Sequence, residues 1–272
     1  MTTLCGRFEL DLTRPKIMAI INLTDDSFTG DGSRGDLDSM MWRVERALEE
    51  GADMLDIGAE SSRPGADQVP EAQELDRVVR CLERLRDLQV PLSIDTMKPN
   101  VMRAAVEAGA DMVNDINAFL APGAIDAVSR GNVGLCVMHM QGEPRTMQKS
   151  PVYCDVVEDV ANYLAARVQV LEAAGIERNR IVLDPGFGFG KTVEHNFALL
   201  RDLGRFVRDG LPVLAGLSRK SMLGTVTGRP VEQRMVASVA AALIAVQRGA
   251  GIVRVHDVGA TRDALKVWEA VS

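Results

Sequence analysis

Eight short β-branched runs alternate with eight longer helix-patterned segments from one end of the chain to the other, and this alternation restricts the fold more than any other feature. The strand-patterned runs are Lys16–Asn22, 53–58, 91–95, 111–115, 133–139, 180–184, 212–216 and 251–256. Between and after them, apolar-periodic stretches rich in helix formers fall at 37–50, 70–89, 98–108, 122–130, 155–175, 191–208, 230–249 and 259–271. Eight strand–helix units in 272 residues match an α/β fold of the (β/α)8 TIM-barrel type; a doubly wound sheet of this size carries fewer strands or an antiparallel edge. No linker or composition shift interrupts the pattern, so residues 1–272 read as a single domain. The same punctuation recurs at Glu49-Glu-Gly-Ala-Asp53, Glu107-Ala-Gly-Ala-Asp111 and Arg248-Gly-Ala-Gly251, where Gly supplies a left-handed cap before the next strand. Residues 3–12 read as a short N-terminal hairpin plugging the lower end of the barrel.

Composition narrows the function. Aromatic residues are only 4% of a chain that is 46% hydrophobic, so the core is expected to be aliphatic, as in layered α/β folds. A net charge of −7 gives no general attraction for a polyanion, which argues against nucleic acid; an anionic ligand must be held by a local basic cluster or by helix N-termini. Cys5, Cys81, Cys136 and Cys154 are scattered without metal-ligand spacing and read as buried, reduced thiols. The N-terminus shows no signal-peptide pattern, and the longest apolar run, 236–246, is too short for a bilayer span. A cytoplasmic protein with no membrane partner is the expectation.

Barrel enzymes place their sites on the loops that follow the strands. Here those positions are polar: Asn22, then Asp56 with the loop Glu60-Ser-Ser-Arg-Pro-Gly65, Asp95, Asn114-Asp115, Met138-His139, Asp184, Ser218-Arg-Lys-Ser221 and Arg254-Val-His256. Alternation along a strand puts Arg254 with His256, Ser93 with Asp95, and Met112 with Asn114 on common faces, and inward-pointing faces converge at one mouth. A single Asp or Asn at a strand end serves equally well as a helix N-cap; six loops doing so together point to a site. Ser62, Arg63, Ser218, Arg219, Lys220, Arg254 and His256 form an anion-binding set suited to phosphate, although Arg219 also fits a solvated surface charge. Asp95, Asn114 and Asp184 offer acceptors to a flat heterocycle bearing N–H donors. The run Asp184-Pro-Gly-Phe-Gly-Phe-Gly-Lys191-Thr192 misses the P-loop pattern because Pro185 stands where Gly is required, and it reads as a loop in which Phe187 and Phe189 either contact substrate or pack on helices. No G-x-S-x-G or hydrolase triad is present; His139 fits a core histidine and His195 an exposed helix face.

Taken together, Asn22-Leu-Thr-Asp-Asp-Ser-Phe28, Asp56-Ile-Gly-Ala-Glu-Ser-Ser-Arg-Pro-Gly65, Ser93-Ile-Asp-Thr, Asn114-Asp-Ile, Asp184-Pro-Gly-Phe-Gly-Phe-Gly-Lys191, Ser218-Arg-Lys-Ser221 and Arg254-Val-His256 resemble the dihydropteroate synthase family over nearly the whole chain. The resemblance implies a folate-pathway transferase, a homodimer that joins 6-hydroxymethyl-7,8-dihydropterin diphosphate to 4-aminobenzoate with Mg²⁺ and is open to competition by sulfonamides. It also implies that Asp95, Asn114, Asp184 and Lys220 grip the pterin, with Met138 along its face, and that Gly216 is among the substrate-binding residues. Asn22 would help hold Mg²⁺; Ser62, Arg63, Arg254 and His256 would take the diphosphate; Phe28, Pro64, Phe189 and Ser218 would shape the aminobenzoate pocket. Catalysis would rest on Asp95, Asp184, Lys220, Arg254 and His256. Three positions depart from the family pattern: Asp25 replaces a proline, Ala59 a glycine and Ser62 a threonine. A non-catalytic pterin-binding paralogue and a pterin-dependent methyltransferase barrel are the rival readings, the second opposed by the basic cluster.

Overall fold

The computed structural model describes residues 1–23, 34–60, 69–208 and 210–271, without the side chains of 34–37. A two-stranded antiparallel hairpin, β1 (Thr2–Cys5) and β2 (Phe8–Asp11), precedes eight parallel strands: β3 (Lys16–Asn22), β4 (Met54–Gly58), β5 (Leu92–Asp95), β6 (Met112–Asp115), β7 (Gly134–Met138), β8 (Ile181–Asp184), β9 (Leu214–Ala215) and β10 (Ile252–Val255). They follow the order β8-β7-β6-β5-β4-β3-β10-β9, and the ring closes where Leu183 bridges Val213 and its N–H bonds the Pro212 carbonyl at 2.8 Å. The expected (β/α)8 barrel and its hairpin are therefore present.

Helices α1 (Arg34–Glu49), α2 (Glu71–Leu85), α3 (Pro99–Glu107), α4 (Ala124–Val128), α5 (Val156–Ala173), α6 (Val193–Arg201), α7 (Gly204–Val207), α8 (Ser221–Thr227), α9 (Met235–Gln247) and α10 (Val258–Glu269) surround it. The single helix expected over 191–208 is two, α6 and α7, and the segment expected from 230 becomes α-helical only at Met235, after a 3-10 turn at Val231–Gln233. Helix α8 escaped the sequence pattern because its last turns carry Gly224 and the β-branched run Thr225-Val226-Thr227. A Cβ on Gly224 would collide with the Arg234 guanidinium, so this helix is kept by close packing against propensity. None of the described helices is long and apolar enough to cross a membrane.

The repeated punctuation works as read. Gly51, Gly109 and Gly249 have φ of 94°, 98° and 100°, and the following Ala52, Ala110 and Ala250 each donate back to the carbonyl five residues earlier. These are three copies of one Schellman turn, and each delivers the chain into the next strand.

Alternation divides the strands cleanly. Outward residues such as Ile17, Leu55, Ile94, Val113, Val137, Leu183 and Val253 form the aliphatic layer under the helices. Inward residues at the lower end, Met18, Met54, Met112, Cys136, Val182, Leu214 and Ile252, pack with Cys5 and Leu10 of the hairpin, which closes the floor. The hairpin is pinned by Asp111, only 1% exposed, whose carboxylate accepts from the Arg7 backbone N–H (3.0 Å), Arg7 Nε (3.0 Å), Arg7 Nη2 (2.9 Å) and the Leu92 N–H (3.0 Å). Gly6 turns the hairpin at φ 58°, and any Cβ there would sit 2.5 Å from the Asp111 Cα. Replacing Asp111 by Ala strands two backbone donors and frees the hairpin, so a loss of about 3 kcal/mol is expected in denaturant unfolding. Arg7→Ala, which leaves both backbone donors in place, is expected to cost about 1 kcal/mol.

Candidate active site

Above the sulfur-rich floor the barrel interior turns polar. Asp56, fully buried on β4, accepts from Arg254 Nε (2.5 Å), Ser93 Oγ (2.6 Å) and Asn114 Nδ2 (3.3 Å). Arg254 Nη2 reaches Asp95 Oδ2 at 3.0 Å, so one guanidinium on β10 bridges two carboxylates on β4 and β5. Burial drives the Asp95 carboxyl above the usual carboxylate range against the pull of Arg254, and the flanking carboxylates keep Arg254 firmly protonated. Asn114 Oδ1 is buried with no partner among the described residues, an acceptor in want of a donor.

The upper layer opens into a cavity of about 360 Å³. Its wall brings together eight of the expected residues: Asn22, Asp95, Phe189, Gly216, Ser218, Lys220, Arg254 and His256. Asn114, Met138 and Asp184 belong to the same barrel interior, on β6, β7 and β8, but are not on that wall. Phe28, Ser62, Arg63 and Pro64, and the divergent Asp25, lie outside the described residues.

Lys220 donates to the Phe187 carbonyl and sits 4.8 Å from the centroid of the Phe189 ring, and burial lowers its pKa to about 8. Asp184 accepts from the Gly186 N–H at 2.7 Å; burial raises its pKa although Lys220 opposes the shift. The two expected roles of a strand-end acid thus divide: Asp184 stays inside the barrel, while Asp115 turns outward and accepts from the N–H groups of Asn117 and Phe119, both at 2.7 Å, holding its own loop. Ser218 Oγ accepts from the His256 N–H (3.2 Å) and lies 2.9 Å from His256 Nδ1. Arg219 is no free surface charge: it pairs with Asp257 at 2.6 and 3.1 Å in a backbone turn with φ 58°.

The 184–191 loop is held from below. Lys191, 3% exposed, donates to the Gly186 (2.9 Å) and Phe189 (3.0 Å) carbonyls and meets His139 Nδ1 at 2.9 Å. Phe187 is wholly buried and Phe189 faces the cavity, which resolves their two roles. His195 is half-buried, not exposed: it closes a capping box with Thr192 and meets Tyr153 edge-on. Of the cysteines, Cys5, Cys81 and Cys136 are buried as expected and Cys154 is exposed. Asp56, Glu60, Met147 and Gln148 are site residues for which sequence reasoning had no role. Inward parity with Gly58 on one strand was the available signal for Asp56, whereas nothing in the 140–155 segment marked Met147 or Gln148.

A family model described as pterin binding enzyme matches residues 18–256. The dihydropteroate synthase of Haemophilus influenzae is 50% identical over 97% of this chain and 96% of its own length. The chain belongs to the dihydropteroate synthase family. A Burkholderia cenocepacia dihydropteroate synthase complexed with 7,8-dihydropteroate superimposes with a TM-score of 0.91 at 57% identity, covering 99% of this chain and 96% of that one. The Xanthomonas albilineans dihydropteroate synthase with 4-aminobenzoic acid gives a TM-score of 0.92 at 50% identity, covering 99% and 97%. Membership of the dihydropteroate synthases makes the chain an enzyme of the transferase class.

Burial and the neighbouring Lys191 lower the His139 pKa from 6.5 to about 3. Between those values the unfolded chain takes up a proton that the folded chain refuses, so stability falls as the solution is acidified. His139→Gln is expected to flatten the acid limb of the stability–pH curve by up to about 1.4 kcal/mol per pH unit, measured by urea unfolding between pH 7 and pH 4.

Proposed function

We infer that this chain condenses 6-hydroxymethyl-7,8-dihydropterin diphosphate with 4-aminobenzoate to give 7,8-dihydropteroate and diphosphate. The observation that carries the reading is the arrangement of one barrel mouth: buried acceptors Asp95, Asn114 and Asp184 beneath a wall carrying Lys220, Arg254 and His256. An ionised Asp184 can accept two parallel bonds from the pterin 2-amino and N3 groups, each worth about 1.5 to 3 kcal/mol. The unpartnered Asn114 Oδ1 suits a further ring N–H, Lys220 supplies a donor for the ring carbonyl, and Met138 offers an apolar face. Arg254 and His256 would meet the departing diphosphate.

Cleavage of the carbon–oxygen bond leaves positive charge on the exocyclic methylene, which the electron-rich ring delocalises, so the protein's task is to position the pterin and neutralise the leaving group. The aminobenzoate amine then attacks the methylene carbon and loses its proton. No protein nucleophile is needed, and a covalent pterin–enzyme adduct in a mass spectrum taken during turnover would contradict this path.

Mg²⁺ fits the donor set as an ion that arrives on the diphosphate: Asn22 brings an amide group to the cavity wall, and the described residues contain no cluster of three His, Cys, Asp or Glu side chains that would hold a resident metal. Bound there, the ion would offset charge on the leaving diphosphate.

Two further features extend the reading. Val236 (76% exposed), Val226 (65%), Met235 (45%) and Ile244 (38%) give helices α8 and α9 an apolar outer surface, which supports a homodimer formed through it. Four unpaired cysteines suit a reducing cytoplasm.

Formation of 7,8-dihydropteroate with release of diphosphate is expected to require pterin diphosphate, 4-aminobenzoate and Mg²⁺ together, and to disappear in Asp184→Ala; a chain that binds the pterin diphosphate yet forms no dihydropteroate from all three would sink the assignment. The double variant Val236→Glu/Ile244→Glu is expected to sediment as a monomer where the parent chain sediments as a dimer.

A further inference from the structure

Two carboxylates line the described cavity wall, and each shares a cation with a second carboxylate. Asp95 has Arg254; Glu60 has Lys98, which is not itself on the wall. Lys98 stands immediately before α3, and its Nζ lies 2.5 Å from Glu60 Oε2, 2.6 Å from Glu74 Oε2 and 2.6 Å from the Val69 carbonyl. An ammonium has three protons, and all three are committed. Glu74 is 1% exposed, and its other oxygen accepts from Thr96 Oγ1 at 2.5 Å. Thr96 Oγ1 in turn accepts from the Lys98 N–H at 3.2 Å, so the cluster is braced on both sides of the lysine. Burial alone would lower the Lys98 pKa, but the hydrogen bonds to Glu60 and Glu74 reverse that and raise it, keeping the group charged at neutral pH.

We propose that Lys98 is a positioning residue for the diphosphate-bearing substrate: shared between Glu60 and Glu74, it draws Glu60 toward Glu74 and offsets one of their two negative charges beside a wall that must accept an anion. The proposal rests on the reading of the substrate given above. Without Lys98, Glu60 and Glu74 would share a partly buried site with no cation between them, and the nearer carboxylate would repel an incoming diphosphate in a medium where charges are weakly screened. The pterin ring, being uncharged, would not feel that repulsion.

The test is calorimetric titration of the whole chain with two ligands, 6-hydroxymethyl-7,8-dihydropterin diphosphate and the same pterin lacking the diphosphate. Lys98→Met is expected to weaken the first about tenfold or more and the second less than about twofold. Adding Glu60→Gln to Lys98→Met is expected to restore most of the lost affinity, which a merely structural role for the lysine would not allow. Equal weakening of both ligands, no weakening of the diphosphate form, or failure of the second substitution to restore it overturns the proposal. Should Lys98→Met not fold, Glu60→Gln alone decides: the diphosphate ligand must bind as well as before or more tightly, and weaker binding overturns the idea. Affinity is read instead of turnover, so a parent chain that binds the pterin diphosphate without making dihydropteroate would defeat the proposed reaction and leave this inference standing.

Discussion

One guanidinium inside the barrel holds the upper half of this molecule together. Arg254 enters from β10 and joins Asp56 and Asp95, while Asp56 also gathers Ser93 and Asn114, so four of the eight strands meet at a single polar knot. Such a knot is a poor source of net stability, because desolvating three charges costs several kcal/mol per ion and their attraction returns about that much. Stability comes instead from the aliphatic layer between strands and helices and from the hairpin-sealed floor. What the knot supplies is orientation: Asp95 and Asn114 are each presented to the cavity region by a partner that holds them at fixed register, as precise recognition requires.

The strands were legible because each is a short β-branched run bounded by Gly, Pro or Asp, and the inward convergence of Asp95, Asn114, Asp184 and Arg254 followed from the two-residue period alone. The three glycine turns were legible because only a residue free to adopt positive φ closes that motif. Pairings across the barrel were not legible. Arg254 and Asp56 are 198 positions apart, and the charge that sequence reasoning gave to the diphosphate is already shared with two carboxylates. Helix α8 was missed because local propensity opposes it and a distant arginine packs over its glycine. Lys98 was missed for the same reason as Asp56: its meaning lies in neighbours 38 and 24 residues away, and nothing about the residue itself announces them.

The barrel is not equally strong all round. From β8 through β7, β6, β5, β4 and β3 to β10 the strands are paired over three to five residues, whereas β9 is two residues long and meets β8 through one bridge beside Pro212, which has no N–H to give. Asp184 stands on one bank of this seam, and Gly216, Ser218 and Lys220 stand on the other. Across the seam the two banks are joined less by backbone ladder than by a side chain, Lys220 donating to the Phe187 carbonyl, while Arg254 stands on β10, the strand next to β9. The mouth thus has one rim laced by continuous backbone ladders and one rim buttoned across by a lysine.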